Sequence, residues 1–402
     1  MVQYASRIKN QAVSGEAVRK LFNSMSDPSL ITFGGGSPAW DTFPVDDIRK
    51  VCNDVFQPDG MGKYALAYND PMGTKELREV VRDIMLPRRG MKCDDLDEIM
   101  IVNGGLETMN LTCQVFIEKG DVILVESPSF VQSIQVFELF EAKCIEVDCD
   151  DYGMLMDDLE RKYEQYNPKM IYVISSFQNP AGRTMALERR KALAEFANTH
   201  DVIVLEDDPY VELRYTGEDI PSIKSFDTAG HVIFANSFSK IFSPGARLGY
   251  CFGPKEIVSG PMYDAKTATN SQTSTTMQVI CAEYFKQGYY DEHIERCKKF
   301  YTEKRDYAIE CLEKYMPEGT KITNPDGGLF IWVQLPEGMV NTTDLLLKAL
   351  DRHVAFIAGE GFYIGEGRGT NCMRISFGQL SLENIDKGLK ILGDLIKEEA
   401  WK

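Results

Sequence analysis

Lys240 lies in the run Ser237-Phe238-Ser239-Lys240-Ile241-Phe242-Ser243-Pro244-Gly245-Ala246-Arg247, directly after the apolar stretch His231-Val232-Ile233-Phe234-Ala235-Asn236. A lysine whose pKa is lowered by its surroundings attacks aldehydes and forms a Schiff base. An arginine nearby offers a planar fork to phosphate oxygens, and Ser237 and Ser239 add neutral donors. A buried strand that ends this way is built to hold a phosphate beside an amine. The ligand that needs both is pyridoxal phosphate. Taken alone, the same segment also describes a surface lysine following a strand.

Further candidates also fall where apolar runs end. Val202-Ile203-Val204-Leu205-Glu206-Asp207-Asp208-Pro209-Tyr210 finishes a buried strand in carboxylates and then a tyrosine. An acid aimed at a pyridine nitrogen keeps it protonated and strengthens the ring as an electron sink. Asp207 is the better candidate and Asp208 the next, while Tyr210 can donate to the ring's phenolate oxygen. An acidic turn that caps the next element is the plainer reading. Asn179, before Pro180 in the segment Ser175 to Arg183, is held extended and can aim its amide at the same oxygen; an isolated Asn-Pro-x-Gly is also simply a turn. In Val102-Asn103-Gly104-Gly105-Leu106-Glu107, a strand meets a helix through two glycines, and free N–H groups there suit a phosphate. It is not a Walker A loop, since no Gly-Lys-Ser/Thr follows. Phe130 can stack on a flat ring or belong to the core. Arg374 is alone in the apolar strand Cys372-Met373-Arg374-Ile375-Ser376 and requires an anionic partner. If no internal acid serves, a substrate carboxylate does.

The elements that position these residues follow from the chain's length and patterning. At 402 residues there is room for two domains and a large core. A net charge of −17 disfavours nucleic acid, whose phosphates need a basic face. Ten cysteines without a C-x-x-C pair, several inside apolar runs, read as reduced thiols, and four scattered histidines offer no metal cluster. No stretch approaches the length of a membrane span and the N-terminus has no apolar leader, so a soluble cytoplasmic protein is expected. Strands are predicted at 98–102, 121–125, 143–147, 170–174, 202–205, 232–235 and 248–252, with helices at 107–117, 130–140, 155–163 and 188–199. Near-continuous Val/Ile/Leu strands between amphipathic helices indicate an α/β fold with a mostly parallel sheet covered on both faces. Ligands of such sheets gather at the carboxyl ends of the strands. Three units are expected: an N-terminal segment (1–42) with a helix near 15–25, a large ligand-binding domain (43–290), and a small C-terminal α+β domain (291–402) on which the N-terminal segment packs.

Together these residues resemble the class I/II pyridoxal-phosphate-dependent aminotransferases of fold type I. The motifs occur in that family's order: Asn179-Pro180-x-Gly182, Asp207-x-x-Tyr210, Ser237-x-Ser239-Lys240, Arg247-x-Gly249, then an arginine near the C-terminus. Residues 31–44, 67–78, 206–215 and 237–250 are most similar to the 2-aminoadipate/kynurenine aminotransferase branch. The resemblance implies a three-layer αβα large domain with a seven-stranded, mostly parallel sheet. It implies transfer of an amino group between an L-α-amino acid and a 2-oxo acid by a ping-pong route through a Lys240 aldimine. It also implies Asp207 at the pyridine nitrogen, Tyr210 and Asn179 at the phenolate oxygen, Phe130 on the ring face, and Arg374 on the α-carboxylate. Ser237, Ser239, Arg247 and the backbone of Gly105 and Leu106 would hold the phosphate. Tyr68 would reach the phosphate of the opposite subunit in a homodimer, Gly36 would lie beside the substrate, and Arg19 would grip a substrate side-chain carboxylate or else be a solvated helical arginine. One departure is that Gly105-Leu106-Glu107 lacks the hydroxyl or amide that often serves the phosphate, so the contact there rests on backbone.

Two rival readings share this scaffold. A lyase or decarboxylase would use the same site, because the cofactor carries the hard chemistry. A non-catalytic regulator of the same branch would carry a DNA-binding domain in front, and the acidic charge speaks against it.

Overall fold

The computed structural model describes residues 2–5, 7–8 and 29–402. Arg19 and the helix expected near 15–25 lie outside the described residues. An eight-stranded sheet runs in the order Ile99–Val102, Gly249–Phe252, Val232–Ser237, Ile203–Asp207, Met170–Ile174, Val122–Ser127, Lys143–Asp150, Gly153–Met154. The strands from Val232–Ser237 through Lys143–Asp150 pair in parallel; Gly249–Phe252 is antiparallel to both its neighbours. The seven expected strands are all present. The eighth is a two-residue hairpin partner of Lys143–Asp150, too short to leave a periodicity of its own.

Both faces of this sheet are buried, which is why its strands are continuously apolar rather than alternating. Met170, Tyr172 and Ile174 turn to one face, where they join Met109 and Phe137 of the helices Gly105–Phe116 and Val131–Leu139. Ile171 and Val173 turn to the other, against Leu159, Leu193 and Phe196 of the helices Met156–Tyr166 and Leu187–His200. The period-two alternation of a strand thus supplies two separate cores.

A second, antiparallel sheet has the order Lys321–Ile322, Phe330–Gln334, Cys372–Ser376, Ile357–Ala358. The strand Ile31–Thr32 pairs in parallel with Val354–Ala355, and Phe33 O then accepts from Ser376 N at 2.9 Å. Residues 34–37 continue from this anchor towards the carboxyl edge of the large sheet. All ten cysteines are free. Among the described residues no helix is long and apolar enough to cross a membrane.

Candidate active site

Four parallel strands stand side by side and deliver their carboxyl ends to one edge: Ser237, Asp207, the turn after Ile174 that carries Asn179, and the turn after Ser127 that carries Phe130. Val102 and Ser237 are both register partners of Gly249, so the helix start at Gly105 and the backbone of Arg247 reach the same place. Arg247 is exposed, adopts the left-handed conformation (φ 52°), and donates from Nη2 to Asn103 O at 3.3 Å. Gly104 has φ 79°, a left-handed φ that favours glycine, and a Cβ there would lie 2.6 Å from Arg247 Nη2, so a side chain would also displace the guanidinium. No side chain caps the helix Gly105–Phe116. Glu107 turns away into a buried ion pair with Lys266 Nζ at 2.8 Å. The donors left at this corner are the backbone of Gly105 and Leu106, the Arg247 guanidinium, and Ser237 and Ser239. Ser239 N itself donates to Ser237 Oγ at 3.2 Å.

Lys240, half-buried, donates from Nζ to Gly36 O at 2.7 Å and stands 5.4 Å from the centre of the Tyr210 ring. Burial, with the positive charges of Arg374 and Arg247, brings its pKa down to about 8, against the opposing pull of Asp207. Asp207 is buried, and desolvation pushes its carboxyl up to about 7 against the Tyr172 hydrogen bond and the Lys240 charge. Asp208 points the opposite way, accepting from Ser176 Oγ at 3.3 Å beside Arg190. Tyr210 is buried edge-on to Phe330, with Asn179 as a side-chain partner of its hydroxyl, and burial raises its pKa. Gly36 lies close enough to Phe330 that a Cβ would meet its ring at 3.0 Å.

Arg374, in an inner strand of the small four-stranded sheet, is 5% exposed. It donates from Nη1 to Asn179 Oδ1 at 2.8 Å and from Nη2 to Gly34 O at 2.6 Å. The Phe330 and Phe362 rings lie 4.3 and 5.3 Å from its guanidinium, and among the described residues Nε has no partner. Burial lowers its pKa to about 10, and among the described residues no carboxylate forms an ion pair with it. A buried cation without an anion costs on the order of several kcal/mol, so this arrangement is suited to an anionic ligand.

Lys240, Asp207, Tyr210, Asn179, Arg374 and Gly36 are therefore brought together, with Arg247, Ser237, Ser239, Gly105 and Leu106 at the adjoining corner. Phe130 stands at the start of the helix Val131–Leu139, partly buried against the core of that face. Tyr68 is not part of the constellation: its side chain is 94% exposed, in the loop after Gly62–Ala65. Several residues that position the site were not singled out in the sequence. Gln178 donates to Pro128 O at 2.7 Å and accepts from Ala181 N at 2.8 Å, tying the Asn179 turn to the Phe130 turn. Arg190, fully buried, donates to Ser175 O, Ser176 Oγ, Met185 O, Ile220 O and Pro221 O, pinning the base of the same turn. Tyr172 donates to Asp207 at 2.9 Å. In sequence Tyr172 looks like an ordinary strand residue, Arg190 like a helical one and Gln178 like a turn residue.

Residues 29–392 match the model of the family described as aminotransferase class I and II. The chain belongs to this family. It is 37% identical over 399 residues to aromatic-amino-acid aminotransferase 1 of Thermococcus litoralis, covering 98% of this chain and 94% of the relative. Its structure is similar to that of a Pyrococcus horikoshii kynurenine aminotransferase solved with PMP, with a TM-score of 0.90, 38% identity, and 95% and 94% of the two chains covered. It is also similar to LysN, the α-aminoadipate aminotransferase of Thermus thermophilus complexed with N-(5'-phosphopyridoxyl)-L-leucine, with a TM-score of 0.85, 30% identity and 95% of each chain covered. This aminotransferase accordingly has the fold-type-I architecture and the amino-group-transfer activity of its family.

Proposed function

We propose that this aminotransferase uses pyridoxal phosphate to exchange an amino group between an L-α-amino acid and a 2-oxo acid, in two half-reactions at one site. The observation that carries the reading is Arg374, buried, beside two aromatic rings and without an acid of its own among the described residues, within one constellation with a lysine of lowered pKa. The donor set fits the cofactor: an uncapped helix start, an arginine and serines for a phosphate, and a buried acid near the lysine. When bound, the cofactor supplies an aldehyde carbon for the amino group and a cationic ring that draws electrons from the substrate α-carbon.

Lys240 Nζ, near neutrality in pKa, releases its proton to become a nucleophile and later carries a proton to and from the α-carbon. Asp207 would hold a proton on the ring nitrogen by charge. Tyr210 and Asn179 would hold the phenolate oxygen, Phe130 would lie on a ring face, and Arg374 would fix the substrate through its α-carboxylate. Gly36, whose carbonyl holds Lys240 Nζ, leaves room beside the substrate. We also infer a division into residues 1–42, 43–290 and 291–402, with the site between the larger two.

A panel of amino donors and 2-oxo acids, including aromatic amino acids, 2-aminoadipate and kynurenine, tests the activity through the product oxo acid. Absence of transfer with every α-amino acid in the panel overturns it. Arg374→Lys tests the role of the arginine. A lysine offers a point charge where the fork binds at two points, so KM for every α-amino acid should rise by roughly ten- to a hundredfold, from the loss of about 1.5–3 kcal/mol of charged hydrogen bonding. Amines without a carboxylate should lose little. Unchanged KM for α-amino acids would make the arginine purely structural.

The exposed Tyr68 supports a homodimer with shared sites, in which its hydroxyl reaches the phosphate of the opposite subunit. Mixing inactive Lys240→Ala protein with Tyr68→Phe protein of reduced activity creates mixed dimers with one doubly altered site and one intact site. Activity should rise above both parents towards a fraction of wild type. If subunit exchange is demonstrated and activity does not rise, Tyr68 works within its own chain or outside the site.

A further inference from the structure

We infer that Tyr172 and Ser133 are positioning residues for Asp207, through a hydroxyl chain that selects which carboxylate oxygen faces the pocket and stabilises its charge. The inference rests on the role proposed above for Asp207. Ser133 Oγ donates to Tyr172 OH at 2.7 Å, and Tyr172 OH donates to Asp207 Oδ2 at 2.9 Å. Neither Ser133 nor Tyr172 is exposed at all, and Asp207 is 2% exposed, so the chain is sealed from water.

The geometry divides the two oxygens of Asp207. Oδ2 is taken by Tyr172, while a Cβ built on Gly105 would lie 3.6 Å from Oδ1. Oδ1 therefore lies towards the helix start at the cofactor corner. A phenol has one proton and can turn it either way in the ring plane. The Ser133 hydroxyl donates to the phenolic oxygen from the other side, which leaves the tyrosine proton directed at Asp207. Ser133 stands in the first turn of the helix Val131–Leu139, where its N–H donates to Phe130 O at 3.1 Å. Phe137 of that helix packs edge-on against the Tyr172 ring, with centroids 5.3 Å apart. One short helix thus carries the ring-stacking candidate and orients the acid.

The titratable groups around Asp207 allow this role. Lys240 favours the charged acid, whereas Tyr210 and Glu126 are groups whose own ionisation the Asp207 charge opposes. Burial, followed by the Asp207 charge, raises the Tyr172 pKa well above its ordinary value, so its hydroxyl stays a donor throughout the working range. Without that donor, burial is opposed by the Lys240 charge and no longer by a hydrogen bond, and the carboxylate's proton affinity rises.

The test uses the cofactor-free protein, with aspartate carboxyl carbons labelled for NMR and Asp207→Asn to identify the resonance. Tyr172→Phe keeps the ring and its packing and removes only the donor. It should raise the Asp207 titration midpoint by about one to two pH units, the scale of a charge-assisted hydrogen bond. Ser133→Ala should move the midpoint in the same direction by less, and carries the test if Tyr172→Phe does not fold. In the loaded enzyme, kcat should fall with little change in KM for the amino donor. An unchanged midpoint in the folded variants overturns the inference, and the residues then serve packing alone. Failure of the wild-type protein to bind pyridoxal phosphate would instead sink the proposed cofactor, while the midpoint comparison still decides the hydroxyl chain.

Discussion

Replacing Lys240 with alanine should abolish transamination, a loss on the order of 10⁴-fold or more, because one group is both nucleophile and proton carrier. The structure gives both roles a cause. Among the described residues Lys240 Nζ bonds no carboxylate, only the Gly36 carbonyl, and burial with the nearby arginines brings its pKa to about 8. A substantial fraction is then neutral at physiological pH, where an ordinary lysine is almost wholly charged. The sign is testable. Condensation of the cofactor-free protein with pyridoxal phosphate should accelerate as pH rises and level off above about 8, since only the neutral amine attacks. The alanine variant should still bind the cofactor non-covalently through Arg247, the serines and Asp207. Borohydride reduction followed by peptide mass spectrometry of the wild-type protein checks the assignment, and a label on any other lysine would falsify it.

Asp207→Asn should retain the cofactor and lose about 10²–10³-fold in kcat, on the order of 3 kcal/mol, because an amide cannot hold the ring nitrogen's proton by charge. Asp208→Asn is the control. Asp208 faces Ser176 and Arg190 on the other side of the strand end, so its loss should change stability while leaving kcat within severalfold. Near-normal turnover in Asp207→Asn combined with collapse in Asp208→Asn would reverse the assignment.

Much of the candidate site was legible because the chemistry proposed for it, with a phosphate, an aldehyde and a carboxylate, demands particular residue types at strand ends. The runs ending in Ser237-x-Ser239-Lys240 and Asp207-x-x-Tyr210, and the lone Arg374 in an apolar strand, all stand out against their surroundings. The helices and strands of the large sheet were legible too, since a strand buried on both faces is continuously apolar and the helices between are not. Tyr172 was not. In Met170-Ile171-Tyr172-Val173-Ile174 it reads as one more core aromatic, and only the rule that a buried hydroxyl needs a partner marks it. Nothing local identifies that partner as Asp207, on the neighbouring strand, or Ser133, on a helix 39 residues earlier. Gln178, Arg190 and the carbonyls of Gly34 and Gly36 escaped for the same reason: their partners are distant in sequence, and backbone acceptors carry no residue signature.

The sequence by itself determined the elements, the reactive residue types and their association with strand ends, because these follow from local periodicity and from the chemistry of single side chains. Tertiary structure decided the order of the strands, which sets Ser237, Asp207 and the Asn179 turn on consecutive neighbours. It decided that Arg374, from a different sheet, bonds Asn179 and Gly34 and finds no acid among the described residues. It also decided that the Asp207 carboxylate meets a tyrosine on one oxygen and the helix-start side on the other. Those outcomes depend on non-local pairing and burial, and burial is what turns an ordinary lysine, aspartate and arginine into groups with shifted pKa values.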